Sequence, residues 1–327
     1  MNQLKDSRCL VTGGAGFIGS IIVDQLLEAG AGEVVVLDNF LRGNMGNLAE
    51  ANASGSVRIV DGDICDADLV DELTKGKDFV FHKAALRITR CAEAPREAID
   101  VLIKGTLNIL ESAVRHKVKK ILAASSASVY GDPSYLPMDE SHPFNNRTLY
   151  GAGKIACEQM LRAYFTSYGL KYVAFRYFNV FGPRMDITGV YTEVLVRWLD
   201  AIEARRPPLI FGDGKQSMDF VFVDDVARAN ILAAQSDVTD EVFNVGTGVQ
   251  TSLKELCEEL LQLTGSSLRP EYREAREVAN VQARRAGTEK AAKLLNFRTR
   301  VSLKEGLQQL IAWRESVKTA ATAVEAI

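Results

Sequence analysis

Cysteine is scarce in this chain: five in 327 residues, at Cys9, Cys65, Cys91, Cys157 and Cys257, odd in number and with no C-x-x-C pair. That spacing excludes a disulfide framework and a structural zinc site, and it suits a reducing compartment. Histidine is scarcer still, with His82, His116 and His142 far apart, so no metal-ligand spacing exists and no metal is expected. No apolar run is long enough to span a bilayer, and the start MNQLKDSRCLVTGG has no signal-peptide pattern, which points to a cytoplasmic protein. Charge of one sign is lacking as well: 39 Lys and Arg against 42 Asp and Glu give a net charge of −3. Global attraction to nucleic acid or to an anionic membrane is thereby excluded, leaving a small molecule as the expected partner. Repeats and low-complexity segments are absent. With 47% hydrophobic residues, the chain can bury one large core or two smaller ones.

What is present is a regular alternation. RCLVTG, EVVVLD, VRIVDGD and DFVFHKAA read as buried strands, and FIGSIIVDQLLEAG reads as a helix closed by Gly30. VKKILAASS and KYVAFRYFN add two strands, with helices around 96–115 and 150–168. Strand and helix repeated in this way give right-handed crossovers, so the expected class is α/β with a doubly wound parallel sheet. After residue 180 turn-rich loops surround short elements, and a smaller, interleaved second domain is expected there. The expected division is 1–179, with 219–247 returning to it, against 180–218 and 248–315, leaving 316–327 as a frayed tail.

The chemistry begins in TGGAGFIG, where Gly13, Gly16 and Gly19 fall between the first strand and the first helix. Glycines there let a pyrophosphate approach backbone N–H groups at the positive end of the helix. Asp38 ends the second strand, where a carboxylate suits ribose hydroxyls and repels a 2′-phosphate, so NAD is expected rather than NADP, with Arg42 nearby as the counter-signal. Asp63, Ala84 and Ala85 follow the third and fourth strands, at the carboxyl ends where the crevice of an open sheet lies.

LYGAGKIACEQM then places Lys154 four residues after Tyr150, and of nine tyrosines only this one has such a lysine. Residues four apart share a helix face. A tyrosine acting as a base near neutral pH needs its pKa lowered by roughly three units, about 4 kcal/mol, which an adjacent ammonium and a cationic nicotinamide together provide. Ser126, ending VKKILAASS, can converge on the same spot.

In this order, TGGAGFIGS, SSASVYG, YGAGK, RYFNVFGPR and FGDGKQSMDFVFVDD resemble the extended short-chain dehydrogenases/reductases, specifically the nucleotide-sugar epimerase/dehydratase branch, over nearly the whole chain. The resemblance implies a Rossmann domain with retained NAD, a C-terminal domain binding a nucleoside-diphosphate sugar, and a homodimer built through a four-helix bundle. It adds Phe17, Ile18, Asn39 and Ile64 to the cofactor contacts. It assigns Asn179 to the diphosphate and Phe211 of the LIFG strand to the base pocket, with Arg87, Val194, Gln216 and Arg284 as further substrate contacts. Tyr150 as base, with Ser126 on the same oxygen and Lys154 beside it, then gives a transient 4-keto sugar. Dehydratases of this branch carry Asp-Glu after the catalytic Ser or Thr, and decarboxylases a Glu; here Ala127 and Ser128 follow, so the expected reaction is 4-epimerisation of a UDP-hexose. A 4-keto-sugar reductase, a 3,5-epimerase and a dehydratase are the alternatives, and a binding-only relative lacks the tyrosine or the lysine. Two positions depart from the branch: Met218 where an arginine binds diphosphate, and Leu102 where an asparagine contacts cofactor. Arg184, Arg197 and Arg284 are the candidates to compensate. Lys83, Arg87 and Arg90 make either a solvated basic turn or a site for an anionic sugar or the diphosphate.

Overall fold

The computed structural model describes residues 3–187, 194–275 and 281–325. Strand and helix alternate from the start: β1 (Arg8–Thr12), α1 (Phe17–Glu28), β2 (Glu33–Asp38), α2 (Ala49–Ala53), β3 (Val57–Asp61), α3 (Ala67–Thr74) and β4 (Phe79–His82). There follow α4 (Ile88–Glu93), α5 (Pro95–Ile99), α6 (Thr106–Arg115), β5 (Lys120–Ser126), α7 (Leu149–Tyr168) and β6 (Tyr172–Tyr177). Local chemistry sets the boundaries. Asp66 caps α3 by accepting from the Leu69 N–H, and Thr148 caps α7 by accepting from the Gly151 N–H. Gly169 then ends α7 in the left-handed region at φ 68°.

Beyond Tyr177 the elements shorten: β7 (Asn179–Phe181), α8 (Val194–Glu203), β8 (Leu209–Phe211), β9 (Ser217–Met218) and β10 (Phe220–Phe222). Then come α9 (Val223–Gln235), β11 (Glu241–Val245), β12 (Thr251–Ser252), α10 (Leu253–Leu263), β13 (Glu271–Arg273), α11 (Glu289–Leu295) and α12 (Leu303–Glu325).

Seven strands form one sheet in the order β11-β6-β5-β4-β1-β2-β3, every neighbouring pair parallel. Both faces are covered, which is why the central strands read as unbroken apolar runs. In β2, Val34 and Val36 enter the core that α1 and α9 cover, while Val35 and Leu37 enter the core on the other side with Ile109, Leu110 and Leu161. A third core, built on Trp198, Leu199, Ile210, Leu256, Leu260, Leu307 and Leu310, belongs to the second unit.

β11 joins the main sheet and α9 packs on it. Two boundaries differ. Ala291, Leu295 and Phe297 are buried in the core of the main sheet, so α11 returns to it as well instead of staying with 248–315. And α12 continues to Glu325, so residues 316–325 extend a helix where a frayed tail is expected.

A buried ion pair stitches β5, α7 and β6 together. Arg176 Nη2 lies 2.7 Å from Glu158 Oε2, Arg176 Nε donates to Oε1 at 2.9 Å, and Ser125 donates to the same carboxylate. The Tyr130 hydroxyl accepts from Arg176 Nη1 at 2.9 Å. Charges this deep are tolerable only because these bonds satisfy them.

Candidate active site

The strand order reverses between β1 and β4, and a cleft of about 1410 Å³ opens there at the carboxyl ends of the strands. Gly13, Gly16, Phe17, Ile18, Asp38, Asn39, Asp63, Ile64, Ala84, Ala85, Tyr150 and Lys154, all assigned to cofactor from the sequence, wall it.

Backbone packing dictates the glycines. A Cβ on Gly13, at φ +68°, would sit 2.7 Å from the Ala84 nitrogen, and one on Gly19 would sit 2.1 Å from the Gly13 carbonyl oxygen. The turn thus presses against the segment that follows β4 and brings the start of α1 to the cleft wall. No side chain caps α1 at Gly16, so its first-turn N–H groups face a ligand's phosphates without competition. Asp38 Oδ2 accepts from the Ala15 N–H and Oδ1 from the Phe40 N–H, each at 2.9 Å. Burial raises its pKa, and those two bonds pull the other way. The carboxylate keeps lone pairs for a ribose diol and opposes a 2′-phosphate, so the cradle fits NAD. Arg42, the counter-signal, turns instead to Asp186 at 3.2 Å. Burial pushes Asp63 up, but the Cys65 backbone N–H and thiol, with Asn39, outweigh it and hold this carboxylate below its ordinary value. An ionised acceptor is therefore fixed beside the cleft.

Tyr150 stands in the first turn of α7, and Lys154 one turn on is buried with 4% exposure. Lys154 Nζ donates to the Ala124 carbonyl at 2.7 Å and lies 5.8 Å from the centre of the Tyr150 ring. Ser126 accepts from the Ser128 N–H at 3.1 Å. Its neighbours Ser125 and Ser128 wall the cleft, whereas Ser126 itself does not.

Leu102 has a different role from the asparagine it replaces. Asp100–Gly105 form a widened π turn between α5 and α6, and Leu102 packs with Leu86, Cys91 and Ala98 under Tyr150. Its Cδ1 lies 2.6 Å from where a Cβ on residue 153 would stand, so Gly153 in α7 is what admits it. The carbonyl of Leu102, freed by the wide turn, accepts from Thr106 at 2.7 Å and from the Cys157 thiol at 3.0 Å.

The basic stretch does not act as one turn. Lys83 points inward: Nζ donates to Asn230 Oδ1 at 2.6 Å and to the Leu122 carbonyl at 2.8 Å, 5.6 Å from the centre of the Phe175 ring. Burial first, and the charge of Lys154 second, push the Lys83 pKa well below its ordinary value. The same causes, with Lys83 added, push neighbouring His82 down to about 3. Arg90 pairs with Glu97 at 2.6 Å, and Arg87, on the cleft wall with Lys83, makes a 3.6 Å pair to Asp186.

Asp186, Trp313 and Val317 complete the wall, and no local pattern marks them in the sequence, since they arrive from distant segments. Of the remaining substrate candidates, Asn179, Val194, Phe211, Gln216 and Arg284 lie beyond β6 and do not wall this cleft. Val194 packs at the edge of the third core. Arg184 pairs with Asp24 at 2.6 Å, and Arg197 is exposed on α8. Among the described residues no group of His, Cys, Asp and Glu could hold a metal, and no helix is long and apolar enough to cross a membrane.

With this geometry in place, comparison with known proteins adds the following. Residues 9–246 match the model of the NAD-dependent epimerase/dehydratase family. The chain is 38% identical over 307 residues to a UDP-glucose 4-epimerase of Mycolicibacterium smegmatis, covering 93% of this chain and 97% of that protein. It is 33% identical over 326 residues to a UDP-N-acetyl-alpha-D-glucosaminuronate decarboxylase of Bacillus cytotoxicus, covering 95% of this chain and 98% of the relative. Among solved structures, a UDP-N-acetylglucosamine 4-epimerase from Methanobrevibacter ruminantium, in complex with UDP-N-acetylmuramic acid, superposes with a TM-score of 0.91 at 35% identity. That match covers 96% of this chain and 99% of the other.

Proposed function

The chain belongs to the NAD-dependent epimerase/dehydratase family, and on that premise we propose that it interconverts the two C4 configurations of a UDP-hexose, whether glucose, N-acetylhexosamine or uronate. NAD, which the Gly13–Gly16 turn and Asp38 would hold, would supply a reversible hydride acceptor for C4. The remaining work falls to side chains. Tyr150 as phenolate takes the proton of the C4 hydroxyl, the Lys154 ammonium steadies that phenolate beforehand, and the Ser126 hydroxyl, next along β5 from the wall residue Ser125, hydrogen-bonds the same sugar oxygen. Turning of the 4-keto sugar before the hydride returns inverts the centre.

The observation that carries this reading is the Tyr150 and Lys154 pair on the wall of the cofactor cleft, with no acid directly after Ser126. Elimination of water needs an acid and a base beyond that pair. Position 127 is a buried alanine and position 128 a serine, so neither is supplied there. Dehydration and decarboxylation, reactions named among relatives, thus fit these two positions less well.

The test is proton NMR of the purified protein, without added cofactor, incubated separately with UDP-glucose, UDP-N-acetylglucosamine and UDP-glucuronate. New galacto-configured H1 and H4 signals in any tube are expected. Turnover only on addition of reduced cofactor would mean a reductase instead. We take the working form to be a homodimer, which light scattering checks.

A further inference from the structure

One carboxylate holds two arginines across the cofactor cleft. Arg42 Nη2 lies 3.2 Å from Asp186 Oδ2, and Arg87 Nη1 lies 3.6 Å from the same oxygen. All three residues wall the cleft. The sheet order says where this contact runs. Arg42 follows β2, Arg87 follows β4, and the turn Gly13–Gly16 follows β1, which stands between those two strands. A chain of contacts from the β2 side to the β4 side therefore passes across the turn, where the diphosphate of a dinucleotide lies. Each member is anchored from behind. The loop of Arg42 is folded onto the ribose acceptor: a Cβ on Gly43 would stand 2.6 Å from Asp38 Oδ1, and the Asn44 N–H and the Asn47 side chain both donate to the Ala15 carbonyl at 3.0 Å. Leu86, beside Arg87, is buried with Cys91 and Leu102. Asp186 follows Met185, which is buried in the third core, and Arg184, whose φ of 67° turns the chain sharply while its guanidinium pairs with Asp24 of α1 at 2.6 Å. A segment fixed at two points thus presents the carboxylate to the cleft.

We propose that Arg42, Asp186 and Arg87 form a clasp over the cofactor's diphosphate, and that NAD leaves only when the clasp opens. The segment beyond β7 is tied by it to the two loops that flank the phosphate turn, one on the adenosine side and one on the nicotinamide side. A bare carboxylate beside this turn would repel a diphosphate, whereas one carboxylate shared by two guanidinium groups leaves a net positive trio that suits it. The proposal rests on NAD occupying this cleft and not on the reaction performed there.

The rate of NAD release from the holoenzyme tests this. The protein is reloaded with NAD and desalted, and free cofactor is captured by excess alcohol dehydrogenase with ethanol and read as the ultraviolet absorbance of its reduced form. Asp186→Asn removes the shared charge, keeps the shape, and should speed release roughly tenfold, as for two partly exposed ion pairs lost together. Arg42→Gln alone should speed it about threefold, and adding it to Asp186→Asn less than about twofold further, since both changes open one clasp. Slower release from Asp186→Asn would mean that the arginines bind the diphosphate themselves while the carboxylate competes with it, which overturns the proposal. A rate within about twofold of wild type overturns it too, as does full additivity of the two changes. If Asp186→Asn does not fold, Arg42→Gln decides alone, and unchanged or slower release overturns the clasp. The NMR assay fails independently, because release is timed whether or not any hexose is epimerised.

Discussion

Replacing Lys154 by methionine removes one charge from beside Tyr150 and leaves a side chain of similar length. The ammonium lies 5.8 Å from the ring centre. Two unit charges roughly 6 Å apart at an effective dielectric near 20 attract by about 3 kcal/mol. The protonated tyrosine gains none of this, whereas the phenolate, the form that can take the sugar proton, gains all of it. Without it the reactive phenolate becomes about a hundredfold scarcer at fixed pH, so Lys154→Met is expected to slow epimerisation roughly a hundredfold. The loss should appear in kcat more than in KM, because the protonated form can still bind the sugar but cannot take its proton. Lys154→Arg, which keeps the charge, should recover about half of the loss on a logarithmic scale. Stability should hold, since removing this charge relieves Lys83 and His82, both of which it disfavours in their protonated forms. The assay is NMR time courses of the C4 epimers at fixed pH. A Lys154→Met rate within fivefold of wild type, or equal losses for methionine and arginine, would refute the electrostatic argument.

Other parts of the molecule give sharp expectations. Glu158→Gln strands Arg176 in a pocket where its side chain is 5% exposed, and should cost about 3–5 kcal/mol in urea unfolding; a cost below about 1 kcal/mol counts against the buried pair as described. His82 is held neutral by burial, with Nδ1 against Thr12 at 2.8 Å and Nε2 against Thr106 at 3.1 Å. Its native pKa is about 3 against 6.5 unfolded. The unfolded chain alone binds the proton between those values, so this residue's stabilisation is complete above pH 6.5 and lost on acidification. Wild type should therefore lose about 1.4 kcal/mol per pH unit more than His82→Gln between pH 6 and 4; identical slopes would dismiss the assignment. Gly13→Ala forces a Cβ to within 2.7 Å of the Ala84 nitrogen at φ +68°. The purified variant should carry less than a tenth of the wild-type NAD, measured by absorbance after acid release, and full occupancy would refute the packing argument.

Local chemistry wrote the first half of the fold plainly into the sequence. Two-sided burial makes β2 an unbroken apolar run, and the turn through Gly13 and Gly19 must be glycine because backbone lies where a Cβ would go. Tyr150 and Lys154 were legible for the same reason, being four residues apart on one helix. What was not legible depends on long reach. Lys83 finds Asn230 across 147 positions, and Arg42 finds Asp186 across 144. A basic loop in the sequence thus becomes one inward lysine, one local ion pair and one arginine on the cleft wall. Leu102 looked like a lost polar contact because its apolar partners come from Leu86, Cys91 and Ala98, which only the widened turn assembles. The return of α11 was hidden similarly: AAKLLNF is apolar enough for either core, and only the tertiary fold selects one.

The seventh strand of the sheet has a consequence for how the gene product can be divided. β11 pairs with β6 but is made only after 63 intervening residues, most of the second unit's short strands among them. While the chain is being synthesised, β6 remains an unpaired edge, and Phe175 and Val173 lack the cover that α9 later gives. Any fragment ending near residue 180 keeps that sticky edge permanently and should aggregate. The sheet therefore cannot be cut near residue 180 without leaving that edge bare.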